Sequence, residues 1–209
     1  MLKIWGRKTS SNVQKAMWAV GELKLEHERI DVGGPFGKNK EAAYLAMNPN
    51  GLVPTLEEED GFLLWESNSV VRYLAGKHDK SGVLEPKDPK QRALASQWMD
   101  WQLSVAGPAI TPAFWGLIRT PPEKRDAAAI KASQDKTIDA MKILDAWLGK
   151  TGYVAGPAFS YGDIPVAIMC YRYIQLVPER PPTANLDRWY GKVSARQAFE
   201  DHVGSVPLT

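Results

Sequence analysis

Two stretches of this chain carry residue types and spacings that can bind a small charged peptide. The first is Asn48-Pro49-Asn50-Gly51-Leu52-Val53-Pro54-Thr55-Leu56; the second is Trp65-Glu66-Ser67-Asn68-Ser69. Asn-Pro-Asn-Gly is a turn, because Pro fixes φ and Asn-Gly tolerates positive φ. The short apolar strand expected after it, Val53 to Leu56, is interrupted by Pro54, which cannot donate a ladder hydrogen bond. Such an edge can pair with an extended ligand backbone, and the Val53-Pro54 bond is a candidate for the cis form. Ser67 stands immediately before the periodic run Val70, Val71, Tyr73, Leu74 and therefore at a helix start. Free N–H groups, the helix dipole and a hydroxyl converge at such a position, which suits a carboxylate. The plainer role for Ser67 is a helix cap.

The elements that must hold these groups follow from periodicity. Residues 2–5 read as a strand ended by Gly6, and Ser10, Ser11 or Asn12 can cap a helix carrying Val13, Met17, Trp18 and Val20. Leu25 to Val32 reads as a second strand, so the first pair is parallel. A short helix over Glu41 to Met47, a hairpin made by Val53 to Leu56 and Phe62 to Trp65, and a helix over Ser67 to His78 complete a βαβ–α–ββα unit. Residues 80–89 look like a linker, and beyond them strands disappear. Lys90 to Val105 is helical, with a continuation over Ala109 to Ile118 after a break near Gly107-Pro108. Pro121-Pro122-Glu123 is expected to open a helix running to about Leu148. Ser160-Tyr161-Gly162-Asp163 has capping-box spacing, with Asp in place of Glu or Gln, and opens a helix apolar nearly all round over Ile164 to Tyr173. Asn185 to Ser194 gives the last expected helix.

Composition narrows the function classes. The net charge is +2, from 26 bases and 24 acids spread along 209 residues, with no basic block to mark a nucleic-acid surface. A single cysteine, Cys170, excludes an intrachain disulfide framework and a CxxC metal site, and fits a reducing, cytoplasmic setting. The N-terminus turns polar too soon for a signal peptide, and no apolar run approaches a membrane span of ~18 residues. His27, His78 and His202 are isolated, so no metal is expected. Cys170 lies in the apolar run Ile168-Met169-Cys170-Tyr171 and reads as a buried, inert thiol.

Taken together, the βαβ–α–ββα unit, the Asn-Pro-Asn-Gly-x-Val-Pro-Thr-Leu segment, the Glu66-Ser67 helix start and the helical remainder with its Ser-x-x-Asp box resemble the cytosolic glutathione S-transferase family over essentially the whole chain. The likeness is to the bacterial, theta-like branch, because a serine rather than a tyrosine follows the first strand. It implies an α/β N-terminal thioredoxin-like domain at 1–79, a linker at 80–89, and an all-α C-terminal helical domain at 90–209 lining a second-substrate site. It also implies a homodimer that binds glutathione as co-substrate and joins its thiolate to a hydrophobic electrophile. A non-catalytic binding or assembly protein on this fold, or a glutathione-dependent peroxidase, is the alternative.

Residue by residue, the resemblance assigns the cysteinyl backbone of glutathione to Val53, with Pro54 keeping that edge open, and the γ-glutamyl end to Glu66 and Ser67. A free thiol with pKa ~8.5 needs help to ionise near neutrality. Ser10 matches the catalytic serine, with Asn12 and then Ser11 as rivals. Leu52 stands where relatives often carry a polar or basic residue, so the glycyl carboxylate must look to Lys38 or Lys40. Asp100 matches a position that in some relatives reaches the glutathione amine across the dimer. Trp115, Ile118, Arg119 and Pro112 are the expected walls of the second-substrate pocket. No cysteine lies at 9–13, which disfavours chemistry through a protein thiolate.

Overall fold

The computed structural model describes residues 1–209. β1 (Leu2–Trp5) buries Ile4 completely, and the chain leaves it at Gly6. Gly6 has φ 153°, and a β-carbon built there would fall 2.4 Å from Val13 Cγ2, so only glycine fits. α1 (Ser11–Glu22) follows, with Val13, Ala16, Met17 and Val20 buried at helical spacing. β2 (His27–Ile30) then pairs parallel to β1, Leu2 opposite His27 and Trp5 opposite Ile30. It is shorter than the 25–32 expected, because the N–H of Leu25 is taken by Val20 O at the exit of α1.

After α2 (Ala42–Met47) come β3 (Thr55–Glu57), β4 (Leu63–Trp65) and α3 (Ser67–His78). The four strands lie in the order β2-β1-β3-β4, with β3 antiparallel to both neighbours. Val53 lies outside the ladder, contrary to expectation, since Pro54 has no N–H to give and pairing begins at Thr55. The Val53-Pro54 bond is cis. α1 packs on α3, and Trp18 of α1 and Val70, Val71 and Leu74 of α3 are fully buried. Each such apolar side chain contributes roughly 1.5–3 kcal/mol.

The helical part begins at α4 (Pro89–Trp101), capped by Asp88, which accepts from Gln91 N at 3.0 Å. The expected break at Gly107-Pro108 is absent. The helix instead widens into a π-wound stretch, Gln102–Ala106, and runs on as α5 (Gly107–Phe114) and a second π-wound turn, Trp115–Arg119. Widening relieves the clash between the Pro108 ring and the carbonyl four residues back without ending the helix. The Pro121-Pro122-Glu123 start is also corrected: Pro122–Lys124 makes one 3-10 turn, the chain extends at Arg125, and α6 (Ala127–Thr151) opens at Asp126. The Asp126 carboxylate accepts from Ala129 N at 2.9 Å, so the side-chain cap outcompetes the prolines for the start. α7 (Asp163–Leu176) is the centre of this part, buried along all but three of its 14 residues. α8 (Ala184–Ser194) follows.

Packing divides the chain into Met1–Glu85 with Gln197–Pro207, and Pro86–Arg196 with Leu208–Thr209. The tail expected to belong with the helices thus joins the sheet-bearing unit. α9 (Gln197–Phe199) and the turn Glu200–Gly204 lie against α1, where Phe199 meets Trp18 edge-on at 5.1 Å. The linker is wound rather than loose. Asp79 accepts from the N–H groups of Ser81, Gly82, Leu84 and Glu85, and Leu84 is fully buried.

Candidate active site

Two helices start at this site, and neither carries a side-chain cap or an acidic residue in its first turn. Their leading N–H groups therefore keep their partial positive charge for another acceptor. At the second start the chain passes from β4 to α3 through Glu66, which is exposed and holds φ 72°, ψ 108°. For a side-chain-bearing residue that geometry costs on the order of 1–3 kcal/mol, and such costs concentrate at ligand sites.

Ser67, only 4% exposed, is the first residue of α3 rather than its cap. Its Oγ donates to Asn12 Oδ1 at 3.3 Å and accepts from Lys15 Nζ at 3.3 Å. Asn12 and Lys15 are three residues apart on one face of α1, so the two helix starts are tied by side chains. Sequence reasoning missed Lys15, which is completely buried. Its signal was available: a lysine beside Gln14 in the mostly apolar run Val13 to Val20 must point at something polar.

Val53, half-buried, is presented by a braced turn. Asn48 is buried; its Oδ1 accepts from Asn50 N at 3.1 Å, and its Nδ2 donates to Leu52 O at 2.9 Å and to Thr55 Oγ1 at 3.3 Å. Tyr44 Oη gives its one proton to Leu52 O at 2.7 Å, so Thr55 Oγ1, 2.8 Å away, donates to Tyr44. The carbonyl just before Val53 is held from two sides, and burial pushes the Tyr44 phenol up. Gly51 is buried at φ 58°, with Asn39 O only 2.7 Å from where a β-carbon would stand. Leu52 itself projects outward, 62% exposed.

Of the two cations proposed for the glycyl end, Lys40 lies on this turn, its Nζ donating to Asn50 O at 3.2 Å, whereas Lys38 is an exposed loop residue with φ 65°. Ser10 occupies the N-cap position of α1, yet its hydroxyl makes no capping bond. Its backbone does the structural work, with N bonded to Arg7 O and O accepting from Gln14 N. Ser11 is the first helical residue, half-buried.

In the helical unit, Pro112 and Arg119 are exposed and Ile118 half-buried, while Trp115 is 57% exposed and so is not core. The Arg119 guanidinium lies 5.8 Å from the Trp115 ring centre and 5.7 Å from that of Phe114. The Arg172 guanidinium lies 4.2 Å from the centre of the buried Phe114 ring, so Arg119 and the exposed Trp115 make the accessible part of the cluster. Trp98 is packed, 4.9 Å from Trp101 and 5.9 Å from Trp147, and Asp100 is exposed on α4. Cys170 is fully buried, and burial pushes its thiol well up, away from the nucleophilic thiolate. No group of three or more His, Cys, Asp and Glu side chains converges as a metal site would. No helix is long and apolar enough to cross a membrane.

A mixed four-stranded sheet with helices and two uncapped helix starts, followed by a helical unit, defines a thioredoxin-like glutathione-transferase architecture. The chain belongs to the glutathione S-transferase family. Residues 9–77 match the family's N-terminal domain model and residues 106–197 its C-terminal domain model. Glutathione S-transferase GstB of Escherichia coli K12 is 42% identical over 199 residues, 95% of each chain. The glutathione-bound crystal structure of the theta-class enzyme from Xanthomonas axonopodis pv. citri has TM-score 0.93 at 40% identity, covering 100% of this chain and 99% of that one. Glutathione transferase F7 of Populus trichocarpa has TM-score 0.86 at 26% identity, covering 99% and 100%.

Proposed function

We propose that the protein binds glutathione in extended form, ionises its thiol, and transfers the thiolate to a hydrophobic electrophile. What carries this reading is the tie between the two uncapped helix starts, Asn12 to Ser67 to Lys15, beside the Val53 edge. Main-chain pairing at Val53 holds the cysteinyl unit. The γ-glutamyl carboxylate is met by the hydroxyl and N–H of Ser67, and its ammonium by Glu66. Lys40 takes the glycyl carboxylate, being the lysine already seated on the turn that ends at Val53.

The thiol then lies toward the start of α1, within the field of its leading N–H groups. Lowering its pKa by two units favours the anion by about 2.7 kcal/mol. Ser10 is the first donor to sulfur, since its hydroxyl is not spent on capping. The Asn12 amide is the second. Catalysis is then positioning and thiolate stabilisation, with no protein nucleophile. The exposed aromatic face of Trp115 with Arg119 suits electrophiles that are apolar yet carry partial negative charge. A cytoplasmic homodimer is the working form in this reading, and Asp100 serves a partner's glutathione.

Calorimetric titration with glutathione, followed by turnover of a generic aromatic electrophile, tests this. Saturable binding with a conjugate product is expected. Absence of heat at millimolar glutathione overturns the reading, and binding without turnover reduces the protein to a glutathione-binding scaffold.

A further inference from the structure

We infer that Lys15 is a positioning residue for the γ-glutamyl carboxylate of glutathione, supplying the positive charge that Ser67 presents to it; this rests on the binding reading above. Lys15 is completely buried, and its Nζ lies 3.3 Å from the Oγ of a serine that is itself 4% exposed. An ammonium withdrawn from water is costly unless an anion or a dense set of acceptors meets it.

The direction of the hydrogen bonds points the same way. Lys15 can only donate, so it occupies a lone pair of Ser67 Oγ and leaves the hydroxyl proton to be given onward. In this structure that proton goes to Asn12 Oδ1. An arriving carboxylate can accept it instead. A carboxylate oxygen hydrogen-bonded to Ser67 Oγ lies at most about 6 Å from Nζ, close enough in a water-poor site for the charge to be felt. The bare helix start of α3 offers its N–H dipoles to the same anion, and no first-turn acid competes with it.

The test pairs a variant with a truncated ligand. Lys15→Met keeps the stem and removes the charge, and Lys15→Arg keeps the charge. Binding of glutathione is compared with that of 4-aminobutyryl-cysteinylglycine, which lacks only the γ-glutamyl carboxylate. Lys15→Met should weaken glutathione about tenfold or more and leave the truncated ligand unchanged. It should raise KM with little change in kcat, and Lys15→Arg should restore most of the affinity.

Equal loss for both ligands, or no loss for glutathione, overturns the inference. Should Lys15→Met fold poorly, Lys15→Gln gives a second route: it removes the charge, keeps a polar end beside Ser67, and should produce the same discrimination between the two ligands. No discrimination there also overturns it. Failure of the wild-type protein to bind glutathione at all is a different result, and sinks the functional reading itself.

Discussion

Ser67 Oγ donates to Asn12 Oδ1 across 3.3 Å, joining the first turn of α3 to the first turn of α1. With its oxygen engaged, Asn12 has only its amide N–H groups to offer a ligand sulfur, as a rival to the Ser10 hydroxyl in the proposed complex. Two donors therefore compete for the role of activating the thiol. Ser10→Ala is expected to raise the pKa of bound glutathione by one to two units (about 1.4–2.7 kcal/mol). Asn12→Asp, which exchanges donors for a second carboxylate oxygen, should raise it as well. The ultraviolet thiolate band followed across pH reads both. A titration unmoved by Ser10→Ala but moved by Asn12→Asp transfers the role to Asn12.

The proposed complex gives Ser67 a role in binding rather than in chemistry. Its contacts are with side chains of α1 and, in the proposed complex, with the end of glutathione farthest from sulfur. Ser67→Ala should raise KM for glutathione roughly tenfold or more while kcat at saturation changes little. A fall in kcat with KM unaltered would show instead that the hydroxyl works through Asn12 on the thiolate.

The brace behind Val53 gives a prediction on stability as well as affinity. Tyr44→Phe removes one of two donors to Leu52 O and leaves Thr55 Oγ1 without its acceptor. The expected cost is about 1–2 kcal/mol of unfolding free energy in a denaturant titration. Asn48→Ala removes bonds to Asn50, Leu52 and Thr55 together and should cost more. Glutathione affinity should fall in both variants, because the edge it pairs with loses its fixed height. Full affinity in a destabilised Asn48→Ala protein would mean the turn holds the fold but not the ligand.

What the chain spells locally, it spells legibly. β1 and α3 have the expected bounds, and the Val53-Pro54 bond is cis. The misread elements share a cause, which is competition between two local signals. At 107–108, Gly-Pro looks like a stop, but helix continuity survives by widening at 102–106. At 121–126, a double proline and an aspartate both advertise a helix start, and the aspartate wins because it satisfies an N–H. Lys15 was hidden for another reason. Its place in the run shows that it faces inward, but the partner it meets there, Ser67, lies 52 residues away along the chain. The tail at 197–207 shows the same limit, since nothing in its own pattern says it will pack on α1.

Asp163 provides the test of how charge is carried in the helical core. Its carboxylate accepts from Val154 N, from Ser160 N and Oγ, and from Trp189 Nε1, tying the loop before α7 to α8. Burial is complete and outweighs these donors, pushing the carboxyl up to about 6. The folded protein thus binds this proton more tightly than the unfolded chain does, whose carboxyl keeps its ordinary value of 3.8. The stabilisation so gained is fully present below that value and is lost as pH rises through about 6, a swing of at most about 3 kcal/mol. Asp163→Asn cannot titrate and places an amide donor among N–H donors, so it should destabilise at every pH, by about 2–4 kcal/mol. Its deficit relative to wild type should be smaller at pH 7, where wild type bears the buried charge, than at pH 4. Denaturant unfolding of both proteins at the two pH values measures this directly. A deficit that grows toward pH 7 would mean that the four donors outweigh burial and that the carboxylate is ionised throughout.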